Sequence, residues 1–157
     1  MSQKRRLVRE KVLQALYAYE FSKNAPEVVA DDVLAELKED HEQHAFARDL
    51  FLKAISSGKE LDTLIKQKIQ HWEFSRLAVI DKLILRMAIT EILFFEDIPP
   101  KVSINEAIEI ARDYSTDKSD KFVNGVLDSV LDDLKKRGKL VKTGRGLLDH
   151  SQKNKNS

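Results

Sequence analysis

The residues best suited to chemistry lie near the two ends of the chain. "KRRLVREK", residues 4–11, packs five basic side chains and one acid into about two helical turns. Guanidinium groups bind phosphate oxygens bidentately, so Arg5, Arg6 and Arg9, with Lys4 beside them, suit a nucleic-acid backbone. Near the other end, "DKFVNGVLDSVL" at 120–131 holds Phe122, with Lys118 and Lys121 towards its polar side. An aromatic ring bordered by cations can stack an unpaired base. "HEQH" at 41–44 has a metal-like look, but a zinc-protease helix needs two His at i and i+4 around a Glu, and here the spacing is i, i+3 with no third ligand. It reads as the start of a surface helix. No Gly-rich phosphate loop is present, no Ser, His and Asp set stands out as a triad, and the absence of cysteine removes thiol nucleophiles and thiolate metal sites. The residues therefore point to binding, not catalysis, with no metal and no cofactor. A cysteine-free chain also fits a reducing cytoplasm.

These groups must be carried by helices. The chain has 157 residues, few Gly and Pro, and no segment that alternates long enough to make a strand. Its pattern predicts an all-α fold of about seven helices, at about 3–22, 28–38, 43–57, 59–71, 75–96, 103–114 and 119–136. Pro26 and the pair Pro99-Pro100 are expected to end the helices before them. Ser103 with Glu106 reads as a capping box opening the sixth helix. The fifth, "RLAVIDKLILRMAITEILFFED", is apolar on nearly every face, so others must surround it. Its charges argue against a membrane span. An all-helical bundle packed around this central helix, over 1–137, forms the expected domain. After Gly138 the periodicity fades, and 138–157 reads as a basic, flexible tail.

Two details within those helices bear on binding. Cations in the first turns of a helix face the positive end of its dipole, at a cost of about 0.3–1 kcal/mol each when exposed. The first helix accepts that cost while turning Val8, Val12, Ala15, Leu16 and Tyr19 to the core. Arg9 and especially Arg6 are then expected away from the centre of that face. Asn124-Gly125 is a strong turn signal inside a helical pattern. With Phe122 at zero, Gly125 falls roughly 150° from the centre of the apolar stripe. It is therefore expected to be helical and outward-facing, where another backbone or a ligand comes close.

Charge is distributed unevenly. Residues 1–23 are net +4 and 135–157 net +7, leaving −10 for 24–134 in a total of +1. Basic ends suit a polyanion, and an acidic body suits a basic protein partner. The plainer alternative is that Lys-rich ends keep the chain soluble.

Three stretches, "RRLVREKVLQALYAYE", "LRMAITE" followed by "IPPKVSINEAIEIA", and "KFVNGVLD", resemble in order and spacing the NusB family of bacterial transcription antitermination factors. The resemblance covers nearly all of 4–134. It implies an all-α fold of two packed bundles around the long central helix, and a non-enzymatic, cytoplasmic adaptor that binds the single-stranded boxA element of nascent RNA together with the NusE ribosomal protein. That pair brings in other Nus factors and RNA polymerase, so that ribosomal RNA operons are read through terminators. Carried onto this chain, the resemblance implies RNA contacts by Arg5, Arg6 and Arg9, with Lys4 and Gln14, and by Phe122. It implies NusE contacts by Tyr17, Asp81 and Arg76. On this reading Arg6→Ala or Arg9→Ala weakens RNA binding alone, and Asp81→Lys weakens NusE binding alone. The resemblance also admits a homodimer that would mask the RNA surface. The Arg run is interrupted by Leu7, and the tail after Lys135 lies outside the match. A competing reading is a NusB-like accessory module for ribosomal RNA modification or ribosome assembly, although no cofactor-binding unit follows the domain.

Overall fold

The computed structural model describes residues 2–69 and 74–148. Among them the chain folds into seven α-helices and no strand: α1 (Ser2–Glu20), α2 (Pro26–Val33), α3 (His41–Ser56), α4 (Gly58–Lys68), α5 (Val79–Phe94), α6 (Pro100–Tyr114) and α7 (Ser119–Lys136). Short 3₁₀ turns at Ala35–Leu37, Phe74–Arg76 and Gly144–Leu147 complete it. Residues 70 and 71, expected at the end of the fourth helix, lie outside the described residues.

The apolar pattern of α5 explains the architecture. From Leu83 to Ile92 every residue except Arg86 is buried, so no face of the helix meets water. Burying a Leu or Ile side chain contributes about 1.5–3 kcal/mol, and only neighbours on all sides can provide it. Helices α1, α3, α4, α6 and α7 all pack on α5. Helices α1, α2 and α3 form one bundle against it, while α4, α6 and α7 form the other.

Several boundaries differ from the sequence expectation. α1 ends at Glu20 and α5 at Phe94, whereas Pro26 and Pro100 occupy the first positions of α2 and α6. The prolines open helices instead of ending them, because a first-turn N–H has no intrahelical partner to lose and the fixed φ is already helical. Since α6 starts at Pro100, Ser103 is buried inside it, and no Ser103–Glu106 capping box exists. The second helix stops at Val33 and gives way to a 3₁₀ turn, and the fifth begins at Val79, not 75.

The expected flexible tail is in part an ordered strap. Gly138, at φ 66°, closes α7, with the Lys139 N–H donating to the Leu134 carbonyl at 3.0 Å. This is the left-handed cap that glycine permits. The chain then runs back to the C-terminus of α5. The Thr143 N–H donates to the Glu96 carbonyl at 2.9 Å, and Lys142 Nζ donates to the carbonyls of Glu91 (3.1 Å) and Phe95 (2.8 Å). The Glu91 carbonyl also accepts from the Phe95 N–H at 3.1 Å, so the lysine adds a second donor there and brings a favourable charge to the C-terminal end of α5. Residues 138–148 are thus held against the domain, while 149–157 lie outside the described residues.

Candidate nucleic-acid and partner interface

Helix α1 lies between α3 and α5 and touches α6, and its cations are distributed among all three neighbours. Arg9 goes inward. Its side chain is 3% exposed, its Nε and Nη2 donate to Glu91 Oε2 and Oε1 at 2.9 and 2.7 Å, and Ser103 Oγ donates to Glu91 Oε1 at 3.0 Å. Burial works against the guanidinium charge, but attraction to Glu91 and the hydrogen bonds with it outweigh burial and raise the Arg9 pKa. The expectation that Arg9 faces outward is therefore corrected: it is a core ion pair joining α1 to α5 and α6. The physical reason is Leu13. It is buried together with Val8, Val12 and Leu16, so the core face of α1 extends towards Arg9 more than the expected set allowed.

Arg6 points to α6, donating from Nε and Nη2 to Glu106 Oε2 and Oε1 at 2.6 and 3.3 Å, and stays a third exposed. The bond to Glu106 raises its pKa. Arg5 lies over the Phe46 ring, 3.9 Å from its centroid, with Glu42 at 3.7 Å. Burial and the neighbouring Arg9 lower the Arg5 pKa. Lys4 pairs with Asp40 at 2.5 Å, and Lys11 with Glu36 at 2.9 Å. Gln14 is exposed and accepts from Lys11 Nζ at 3.4 Å. At the far end of α1, Tyr17 is exposed and packs on exposed Phe21, with ring centroids 4.9 Å apart. Phe21 was not expected. Its signal was the i, i+4 spacing from Tyr17 at the polar end of the helix.

A second feature lies where the chain enters α7. Arg76, Leu77, Ala78, Asp81, Thr116, Lys118, Ser119 and Phe122 line a recess of about 340 Å³. Its walls are mainly apolar: Leu77 and Phe122 are half-buried against the core, while Arg76, Lys118 and Lys121 are exposed around it. Asp81 lies at its floor and is only 8% exposed, accepting from Ser115 Oγ at 2.6 Å and Ser119 Oγ at 3.0 Å. The expectation of Asp81 as a surface contact for a protein is thereby corrected. This carboxylate ties the start of α5 to the turn before α7, and a lysine in its place would bury a cation against two hydroxyl donors. The recess and the basic part of α1 flank the same helix: Arg6 reaches Glu106 of α6, and the Glu10 carboxylate lies near Tyr114 at its end, next to Ser115.

Asn124 and Gly125 sit within α7, exposed, with no turn. A Cβ added at Gly125 would find nothing within 4 Å. No contact inside the chain requires the glycine, and the face is open to something outside it. His41 starts α3 under an Asp40 N-cap that accepts from the Gln43 N–H at 3.3 Å. Among the described residues no group of three potential metal ligands exists. Nor is any helix there long and apolar enough to cross a membrane. The arrangement provides cations for phosphate, a base-sized apolar recess walled by an aromatic ring, and an exposed aromatic pair.

The model of the NusB family matches residues 6–132. The transcription antitermination protein NusB of Chloroherpeton thalassium is 47% identical over 154 residues, covering 92% of this chain and 69% of that relative. The protein of the same name from Salinibacter ruber is also 47% identical, covering 92% and 91%. Among solved structures, T. maritima NusB superposes with a TM-score of 0.76 at 38% identity, covering 82% of this chain and 90% of that one. A crystal structure of antitermination factors NusB and NusE in complex with dsRNA shares the fold, with a TM-score of 0.74 at 23% identity, covering 85% and 99%.

Proposed function

The chain belongs to the NusB family, and from that premise we propose that it is a cytoplasmic transcription antitermination factor. It binds the boxA element of nascent ribosomal RNA as a single strand, jointly with the NusE ribosomal protein, and so helps RNA polymerase pass terminators. One observation carries the RNA reading. The half-buried ring of Phe122 walls an apolar recess with Lys118 and Lys121 exposed beside it. Phosphate contacts supply affinity without sequence information, whereas an unpaired base stacked in such a recess supplies discrimination. Lys4, Arg5, Arg6 and Gln14 extend the surface along α1, and Arg9 supports it from beneath. The open face at Gly125 lets a strand or a partner approach the α7 backbone. The exposed pair Tyr17 and Phe21 gives NusE an aromatic anchor of the kind that dominates protein interfaces. Arg76 serves that partner at the recess rim, and Asp81 serves it indirectly by ordering residues 115–119.

Fluorescence anisotropy with a boxA-like single strand and a scrambled control, with and without NusE and over a salt series, tests the proposal. Preference for the boxA-like strand that strengthens with NusE is the expected result. Phe122→Ala should erase the preference, and Tyr17→Ala with Phe21→Ala should remove only the gain from NusE. Equal, salt-sensitive binding to both strands would reduce the surface to a non-specific basic patch.

A further inference from the structure

The basic segment of α1 does not meet solvent as free charge. Each of its five cations has a carboxylate partner: Lys4 with Asp40, Arg5 with Glu42, Arg6 with Glu106, Arg9 with Glu91 and Lys11 with Glu36. Glu91 and Glu106 are helix residues buried in the domain. The other three carboxylates come from one short stretch, "ELKEDHE" at 36–42, which spans the connection from α2 and the first turn of α3. This connection lies along α1 as a strap. Between the two runs a groove of about 480 Å³, lined on the α1 side by Lys4, Leu7, Lys11 and Gln14, and on the strap side by Glu36, Glu39 and Asp40. Gln43 also lines the groove, and its Oε1 is buried without a hydrogen-bond partner. Asp40 also caps α3, but Glu36 and Glu42 are surface groups with no part in the core. Glu36 and Glu42 are 72% and 83% exposed, and their pairs with Lys11 and Arg5 bridge at 2.9 and 3.7 Å.

We propose that Glu36, Asp40 and Glu42 occupy the cations of α1 in place of phosphate, so that a polyanion must displace them to bind. The inference rests on the RNA-binding reading above. Sequence-independent binding of a nucleic acid comes almost entirely from pairing phosphates with cations. Carboxylates already seated on Lys4, Arg5 and Lys11 lower that part of the affinity for every strand alike. Base contacts at the Phe122 recess do not use those three cations, so the strap leaves them unchanged. The strap therefore restrains capture by arbitrary RNA and leaves the margin between cognate and non-cognate strands to the bases.

The test compares wild type with Glu36→Gln/Glu42→Gln. Both sites are exposed, and Asp40 keeps its N-cap. A control, Asp32→Asn/Glu60→Gln, removes the same charge from exposed positions on α2 and α4. BoxA-like and scrambled single strands are titrated by anisotropy at low and high salt. The expected result is tightening by about two- to thirtyfold, the worth of two exposed ion pairs. The factor should be the same for both strands, should shrink as salt rises, and should exceed that of the control. Tightening no greater than the control, or weaker binding, overturns the strap. If both strands tighten equally in the variant but wild type shows no boxA preference, the strap stands and the boxA reading fails.

Discussion

Removing the Arg9 side chain separates a core ion pair from an RNA contact. Arg9→Ala leaves the Glu91 carboxylate buried, 1% exposed, with the Ser103 hydroxyl as its remaining donor. Breaking a buried pair by deleting one partner costs about 3–5 kcal/mol, because the other charge stays desolvated and uncompensated. For a chain of this length each kcal/mol moves the melting temperature by about 2–4 °C, so a fall of about 6–20 °C is expected. The triple variant Arg9→Met/Glu91→Leu/Ser103→Ala removes both charges and the hydroxyl that would lose its acceptor. Apolar replacement of a buried pair is often neutral or stabilising, so melting should return to within about 5 °C of wild type. Thermal denaturation by circular dichroism measures both. RNA titration well below the melting point then gives the functional answer. The triple variant should bind boxA-like RNA as wild type does, because Arg9 does not reach the surface. Two results would refute this reasoning: an Arg9→Ala melt within about 2 °C of wild type, or a folded triple variant that has lost RNA binding.

Gly125→Ala should stabilise α7 by up to about 1 kcal/mol, since the position is helical and its Cβ would meet nothing. A loss of RNA or NusE affinity in that more stable variant would identify the face as a docking surface, and unchanged affinity would remove Gly125 from the interface. Gly146→Ala should detach the C-terminal strap, because a Cβ there would lie 1.9 Å from the Glu96 carbonyl oxygen, a backbone atom that cannot give way. Limited tryptic cleavage at Arg145 should accelerate, and Lys142→Met, which removes the bonds to the Glu91 and Phe95 carbonyls, should accelerate it too. Acid sensitivity should come in part from Asp40 and Asp120, held below the ordinary 3.8 chiefly by hydrogen bonds from Lys4 and Arg112. A depressed carboxylate contributes stability above the unfolded pKa and loses it as pH falls through the folded one. Urea midpoints should therefore drop on acidification below about pH 4, and the drop should be shallower in Asp40→Asn/Asp120→Asn.

What could be read from the residues, and what could not, divides along a physical line. The all-α fold and the central position of α5 follow from hydrophobic periodicity, a property of each segment alone. The same holds for the helical state of Asn124-Gly125, where a stripe running from Val123 to Leu134 overrides a two-residue turn signal. Helix ends were read less well. A proline fits the first turn of one helix as readily as the space after another, and only packing decides which.

The destinations of long cationic side chains depend on groups far away in sequence, and a helical wheel cannot supply them. Arg6 finds Glu106 and Arg9 finds Glu91, 100 and 82 residues away. One clue to the second pairing was nevertheless present. Glu91 is the one charged residue in the last two turns of an apolar helix, and a carboxylate there must be neutral, hydrated or paired. Of the cations available, one on a helix packed against α5 had to supply the charge. Asp81, buried on that helix, obeyed the same rule with two serine hydroxyls in place of a cation. In a bundle built on an apolar post, the few polar residues of the post thus choose partners from its neighbours. They fix how α1, α6 and the turn before α7 sit relative to one another, and so they place the cations and the aromatic recess beside the same helix, α6.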